Sequence, residues 1–143
     1  MLMGLTEADA KALVNEGILS ADFDEHKEAI DFYDKALKII ETSDIYLNKG
    51  ISLVELEKYE DAVTCYDKAS VIDVNDSLIW YNRGVALTQL EKYDDAISSY
   101  NKAIEISPGY ADAWYNKGEL LKHKEQGDEA EKCFVKVKEL ESE

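Results

Sequence analysis

The sequence predicts an all-α solenoid built from helical pairs, and two observations lead to that fold class. First, glycine recurs every 34 residues, at Gly50, Gly84 and Gly118, and each glycine ends a short segment containing a tyrosine, an asparagine and a basic residue. A self-similar period of this length is typical of repeat architectures. Second, each period holds two segments with apolar residues at helical spacing, separated by a short polar break such as Glu91-Lys92. That pattern indicates one helical hairpin in every period.

Composition limits the classes of partner. The chain has 143 residues, 45% of them apolar, which suits one compact domain or a short repeat array. Acidic residues outnumber basic ones by 31 to 16, and the formal net charge is -15. This excess repels phosphate groups, so we expect neither nucleic acid nor an anionic membrane as a partner. The uncharged start Met1–Leu5 lacks the features of a signal peptide, and no run of about 18 apolar residues occurs, so we expect a cytoplasmic protein.

The repeating residues can be aligned by register. The clearest unit contains Trp80, Gly84, Leu87, Tyr93, Ala96, Tyr100, Ala103 and Pro108. The next unit contains Trp114, Gly118, Leu121, Gly127, Ala130, Phe134 and Val137, and the preceding one contains Tyr46, Gly50, Leu53, Tyr59, Ala62, Tyr66 and Ala69. This pattern resembles the tetratricopeptide repeat (TPR), in which an aromatic and a small residue are followed by a helix break and then by Ala-x-x-x-aromatic. The resemblance covers nearly the whole chain and implies an all-α, right-handed superhelical solenoid of four antiparallel helix pairs.

A fourth, more divergent copy begins the chain. Gly17, Ala29, Tyr33 and Ala36 stand 33 rather than 34 residues before their counterparts. We therefore expect a single domain over residues 1–143, with repeats at approximately 10–42, 43–76, 77–110 and 111–143. The eight helices are predicted at about 7–20, 26–40, 44–56, 60–72, 78–90, 94–106, 111–124 and 128–141.

Local signals support the helix boundaries. Thr6, with Asp9 three residues later, is a suitable cap for the first helix. The plainest turn contains Pro108, which cannot continue a helix, and Gly109, for which we expect left-handed geometry.

The repeat glycines and the last helix each predict a packing feature. A glycine inside a helix costs about 0.5–1 kcal/mol relative to alanine, so its recurrence suggests close helix contact, with an aromatic such as Tyr100 filling the space beside Gly84. In the last helix, Glu131 and Lys138 occupy sites that are mostly aliphatic in the earlier repeats. Charges there predict an array that caps itself at this end.

In the TPR family, the first helices of the pairs line a concave surface that binds peptides, so the resemblance implies a protein-interaction module. By register, the residues facing this groove are Asn15, Asn48, Asn82 and Asn116 in one row, Val14, Leu47, Tyr81 and Tyr115 in a second, and Ile18, Ile51, Val85 and Glu119 in a third. The asparagines either form a ladder that hydrogen-bonds the main chain of a ligand or are simply common at this site in the family. Charges at the rim are mixed and favour a neutral or basic ligand.

The third row departs from the polar residues usual in the family. Ile18, Ile51 and Val85, together with Val54, make the groove apolar. An apolar groove favours a hydrophobic or amphipathic helix as the ligand. The alternative is that these side chains are half buried between neighbouring first helices.

The best-known ligand of the family, the acidic C-terminal tail of heat-shock chaperones, is not expected. Where that clamp needs a lysine in its first repeat, this chain has Val14 or Leu47, and where it needs an asparagine, Ile18 or Ile51. These side chains cannot form a bidentate clamp for carboxylates.

The sequence predicts no enzyme, cofactor or metal site. It contains no glycine-rich phosphate loop after a strand, no nucleophile motif and no His and Cys cluster at metal-ligand spacing. Cys65 and Cys133 stand 68 residues apart, two periods, which is too far for a disulfide in a stacked array. The alternative to an adaptor is a self-associating module, in which the groove or the N-terminal end packs on a second copy to form a homo-oligomer.

Overall fold

The computed structural model describes residues 4–143, and the regular structure in that range is α-helical. The helices are α1 (Glu7–Asp22), α2 (His26–Leu37), α3 (Ser43–Glu55), α4 (Tyr59–Ile72), α5 (Ser77–Gln89), α6 (Tyr93–Ile106), α7 (Ala111–His123) and α8 (Gly127–Glu141). Every boundary lies within three residues of its predicted position. The all-α class and the four helix pairs are therefore confirmed.

The chain divides into two compact units, a first unit, Met1–Val74, and a second unit, Asn75–Glu143. Each unit contains two hairpins, α1–α2 and α3–α4 in the first, α5–α6 and α7–α8 in the second. Within the first unit, α2 also packs on α3 and α1 touches α3; within the second, α6 packs on α7. The two hairpins of a unit therefore share one core.

In every hairpin, an aromatic ring of the second helix lies against the glycine of the first. A Cβ atom added to Gly84 would lie 2.6 Å from Cε1 of Tyr100, and one added to Gly118 would lie 2.7 Å from Cε1 of Phe134. The same contact occurs in the other two hairpins, in the pairs Gly17/Tyr33 and Gly50/Tyr66. Cβ atoms do not approach ring carbons this closely, so the repeat glycines are required by packing, as predicted.

Side chains cap the first helices of three hairpins. Thr6 and Asp9 form a capping box, in which the Thr6 amide donates to Asp9 Oδ2 at 2.7 Å and the Asp9 amide donates to Thr6 Oγ1 at 3.3 Å. The amide and the hydroxyl of Thr6 both donate to Asp9 Oδ2, and these two hydrogen bonds lower the pKa of the Asp9 carboxyl. Thr42 and Asp76 accept backbone amides in the same way at the starts of α3 and α5.

The first helix of each hairpin ends on a left-handed residue that is not glycine. These residues are Asp24, Glu57, Glu91 and Glu125, with φ between 58° and 62°. At the end of α5, the amide of Glu91 donates to Thr88 O and that of Lys92 donates to Leu87 O, both at 3.0 Å. This pair of bonds is the Schellman motif, where glycine is normally preferred because left-handed backbone costs other residues about 1–2 kcal/mol.

The expectation of left-handed geometry at Gly109 is wrong. Within residues 4–143, the only glycine with positive φ is Gly4. The amide of Tyr110 donates to Ser107 O at 3.0 Å and closes a turn with Pro108 at its second position. A type I turn of this kind keeps φ negative at both central residues, so the glycine is not needed for its conformation.

Candidate peptide-binding surface

The first unit carries an aliphatic stripe on its two first helices. Val14 and Ile18 on α1, and Ile51 and Val54 on α3, recur at the three- and four-residue spacings that place side chains on one helix face. Ile18 is 39% exposed, and the other three side chains are half buried. Leu47 is different, because only 7% of it is exposed and it therefore supports the surface from the core.

One end of this stripe opens into a pocket of about 200 Å³. Its apolar lining comes from Ala10, Val14, Ile40 and Ile45, and its polar lining from Glu7, Lys11, Thr42 and Asp44. The pocket can therefore take an apolar side chain with polar groups around its entrance.

In the second unit, Tyr81 and Tyr115 occupy the row that holds Val14 and Leu47 in the first unit. Tyr81 stacks on Tyr110 with ring centroids 4.9 Å apart, and Tyr115 contacts Phe134 with centroids 5.8 Å apart. Tyr115 is 49% exposed, whereas Tyr81 is half buried. Burial raises the pKa of Tyr110 to about 12, and the next cause is the negative charge of Tyr81 in its tyrosinate form. The Tyr110 hydroxyl is therefore protonated and uncharged at physiological pH.

A second pocket, of about 210 Å³, lies between α5 and α7 of the second unit. It is lined by Val85, Thr88, Gln89, Tyr100, Asn116, Glu119 and Leu120. Burial raises the pKa of Tyr100, an effect opposed by its hydrogen bonds with Thr88 and Asn116. Sequence reasoning placed Val85, Asn116 and Glu119 on this surface but missed Thr88, Gln89 and Leu120; the available signal was Thr88, a polar residue where the first unit has Ala21.

The four asparagines of the predicted ladder have different environments. Asn15 is exposed and Asn48 is half buried, and neither side chain has a hydrogen-bond partner among residues 4–143. Asn82 Nδ2 donates to the Leu78 carbonyl of its own helix at 2.9 Å. The Asn116 amide is engaged in the second-unit pocket. Asn15 and Asn48 are thus the members with free amides.

Two of the three basic residues that precede repeat glycines, Lys49 and Arg83, contact a neighbouring helix. Lys49 Nζ lies 2.6 Å from Asp34 Oδ1, which links α3 to α2. Arg83 Nη1 donates to Ser99 Oγ at 2.7 Å, and Lys117 lies over the Trp114 ring. The cationic groups of these three residues are therefore engaged within the fold.

A serine, a histidine and an aspartate come together in the first unit. His26 Nδ1 hydrogen-bonds Ser52 Oγ at 3.2 Å, and His26 Nε2 lies 3.0 Å from Asp24 Oδ1. A nucleophile must be reachable by substrate, and Ser52 is only 1% exposed. The contact therefore ties the start of α2 to α3, a structural role.

The described part of the chain contains no cluster of three or more potential metal ligands. Cys65 and Cys133 are buried and not disulfide-bonded, and burial raises the pKa of both thiols. Among the helices of residues 4–143, none is both long enough and apolar enough to span a bilayer.

Antiparallel helical hairpins in tandem, each closed by a glycine–aromatic contact, define the class of helical repeat proteins. The chain belongs to the tetratricopeptide repeat family. Two models described as tetratricopeptide repeat match residues 77–110 and 99–133, and a model described as TPR repeat matches residues 50–90. Members of this family are in general non-catalytic modules for protein–protein interaction.

Solved structures show the same fold. MamA superposes with a TM-score of 0.91 at 24% identity, over 94% of this chain and 79% of its own, and the TPR domain of Arabidopsis OM64 with 0.80 at 23%, over 82% and 98%. YrrB, a TPR protein with an unusual peptide-binding site, superposes with a TM-score of 0.84 at 29% identity, over 94% of this chain and 70% of its own. No curated protein is similar enough in sequence to count as a match.

Proposed function

We propose that this chain is a non-catalytic adaptor that binds an apolar or amphipathic helix on the first helices of its hairpins. The aliphatic stripe of the first unit carries the proposal, because it leaves Ile18 and parts of Val14, Ile51 and Val54 open to solvent. Apolar surface of this kind commonly marks a partner site, and a helix can lay its apolar face along it. The likeness to YrrB supports a peptide as the ligand.

The charge of the chain favours a neutral or basic ligand. At a formal net charge of -15, the protein repels acidic segments and attracts basic ones. The lysine sites of the chaperone-tail clamp are filled by the half-buried Val14 and the buried Leu47, neither of which can hold a carboxylate. An acidic tail is therefore not the proposed ligand. We further propose that Asn15 and Asn48 hydrogen-bond the ligand, and that the repeats span the approximate boundaries 10–42, 43–76, 77–110 and 111–143.

Binding of a defined peptide tests the proposal. The probe is a fluorescently labelled amphipathic helix of leucine and lysine, followed by fluorescence anisotropy. A scrambled peptide of the same composition and an acidic peptide with a free C-terminal carboxylate serve as comparisons. We expect only the amphipathic peptide to bind, because only it has a continuous apolar face.

Matched variants separate apolar recognition from charge. Ile18→Asp and Ile51→Asp place a carboxylate on the stripe, and Val135→Asp places the same charge on α8, where Val135 is also exposed. The first two should weaken binding at least tenfold, about 1.4 kcal/mol, while the helical circular dichroism is retained. The third should not weaken binding. Equal affinity for the scrambled peptide, or Ile18→Asp binding as tightly as Val135→Asp, would sink the proposal.

A second candidate function, self-association, is favoured by a separate apolar surface on α1. Leu19 of α1 and Phe23, the residue that follows the helix, stand four residues apart, and Phe23 is 71% exposed. Two copies could bury these side chains against each other. Sedimentation velocity at several concentrations tests this, with Phe23→Asp as the variant that should remain monomeric. A sedimentation coefficient that stays at the monomer value at every concentration would exclude it.

A further inference from the structure

The two units differ in chemistry at the same register position. The second-unit pocket has Val85, Thr88, Gln89, Tyr100, Asn116, Glu119 and Leu120, and the first unit has Ile18, Ala21, Asp22, Tyr33, Asn48, Ile51 and Ser52 at these places. Glu119 and Thr88 stand where the first unit has Ile51 and Ala21, whereas the carboxylate of the first unit, Asp22, stands where the second has Gln89. The two units therefore place different chemical groups at the same register positions.

Hydrogen bonds inside the pocket have a fixed direction. Thr88 Oγ1 donates to Gly84 O at 2.8 Å, so its only proton is used. The Tyr100 hydroxyl, 3.3 Å away, must then donate to Thr88 Oγ1. Asn116 Nδ2 donates to the hydroxyls of Tyr81 and Tyr100, at 3.1 Å and 3.5 Å. The hydroxyl protons of Thr88 and Tyr100 and the amide protons of Asn116 are thus directed at protein atoms.

The groups left for a ligand at the α7 wall of the pocket are acceptors. Asn116 directs its amide nitrogen inward, which leaves Oδ1 available. Glu119, three residues further along, lies on the same face of α7, is exposed, and makes no ion pair within residues 4–143. The aliphatic side chains of Val85 and Leu120 line the same pocket. A charged acceptor beside apolar walls suits a cation on an aliphatic stem.

We propose that this pocket receives a lysine or arginine side chain of the partner, an inference that rests on the proposed adaptor function. The Glu119 carboxylate pairs with the cation, Asn116 Oδ1 accepts one of its N–H donors, and Val85 and Leu120 contact the methylene stem. The ligand is therefore basic as well as apolar.

Small cations test the pocket without any peptide. The probes are n-butylammonium and n-butylguanidinium, with 1-butanol as the neutral isostere, titrated into isotopically labelled protein and followed by NMR. Both cations should produce saturable shifts at the Asn116 side-chain amide and the Glu119 backbone, and 1-butanol should not. Glu119→Gln should weaken the binding of both cations at least tenfold. Glu131→Gln removes an equal charge at an exposed position of α8 and should leave their affinity unchanged.

Two results would overturn the inference. One is a set of shifts that does not saturate or that is spread evenly over the acidic residues; the other is equal behaviour of the two glutamine variants. The proposed function is tested separately, by the peptide-binding assay. If the amphipathic peptide binds and the cations do not, the pocket inference is wrong and the adaptor stands. If the cations saturate the pocket and the peptide does not bind, the adaptor proposal is wrong.

Discussion

Replacing Gly84 with alanine should destabilise the second unit, although alanine is the better helix former. Inside a helix, alanine is favoured over glycine by about 0.5–1 kcal/mol. However, its Cβ would lie 2.6 Å from Cε1 and 2.8 Å from Cδ1 of Tyr100, well inside van der Waals contact. Because Tyr100 is fully buried, its ring has little room to move, and overpacking of this kind costs about 1–3 kcal/mol. The net loss should be about 0.5–2 kcal/mol.

Urea unfolding followed by tryptophan fluorescence measures this loss. Trp80 and Trp114, the two tryptophans of the chain, both belong to the second unit, so their fluorescence follows that unit. For a unit of this size, the free energy of unfolding falls by about 1 kcal/mol per M urea. The midpoint of Gly84→Ala should therefore lie about 0.5–2 M below that of the unmodified protein.

Two variants check the physical cause. Gly127 is also helical, and a Cβ added to it meets nothing within 4 Å, so Gly127→Ala should not lower the midpoint. Combining Gly84→Ala with Tyr100→Leu removes the ring from the contact, so the double variant should lose less stability than the sum of the two single variants. A Gly84→Ala midpoint equal to or above that of the unmodified protein would refute the packing explanation.

Three further changes have expected outcomes. Glu91→Gly should raise the free energy of unfolding by about 0.5–1 kcal/mol in urea, because glycine adopts φ of 58° with little strain. Tyr66→Phe should be neutral or stabilising, because the buried Tyr66 hydroxyl has no hydrogen-bond partner within residues 4–143, whereas Tyr100→Phe should cost about 1 kcal/mol. The hydrogen bond to Glu41 raises the pKa of Tyr46 from 10.0 to about 12. The folded state thus keeps a proton that the unfolded state loses, so this contribution to stability is complete below pH 10 and is lost as the pH rises to about 12. Tyrosinate absorbance should show this titration, and Glu41→Gln should lower the pKa.

Each of these predictions has a result that contradicts it. An unchanged urea midpoint in Glu91→Gly would mean that the left-handed conformation carries no cost at that residue. Equal losses in Tyr66→Phe and Tyr100→Phe, measured by circular dichroism in urea, would mean that their hydroxyls have equivalent partners. A Tyr46 pKa that does not respond to Glu41→Gln would remove the hydrogen bond as its cause.

The helices could be placed from sequence because the contact that closes each hairpin is local. Gly84 and Tyr100 occur in one repeat, and their spacing recurs in the other repeats, so the periodicity shows both helices and the break between them. The capping box of Thr6 and Asp9 was visible for the same reason, since its residues are three apart.

Features that depend on a partner from another helix could not be predicted. The inward direction of the Asn116 amide depends on the Tyr81 hydroxyl, which is 35 residues away. The burial of Leu47 depends on packing around α3. Tyr115, which occupies the matching position of α7, is 49% exposed instead. The left-handed conformation of Glu91 was hidden because an acidic residue gives no signal for it.

The glycine–aromatic contact has a consequence for how such a chain can grow. Both partners belong to one repeat, so duplication of a 34-residue segment copies a complete folding contact and requires no compensating change elsewhere. The exposed positions of the first helix lie outside this contact. Each new copy can therefore acquire different residues at these positions. Duplication followed by such divergence would account for a chain in which one position holds Ile51 in an early repeat and Glu119 in a late one.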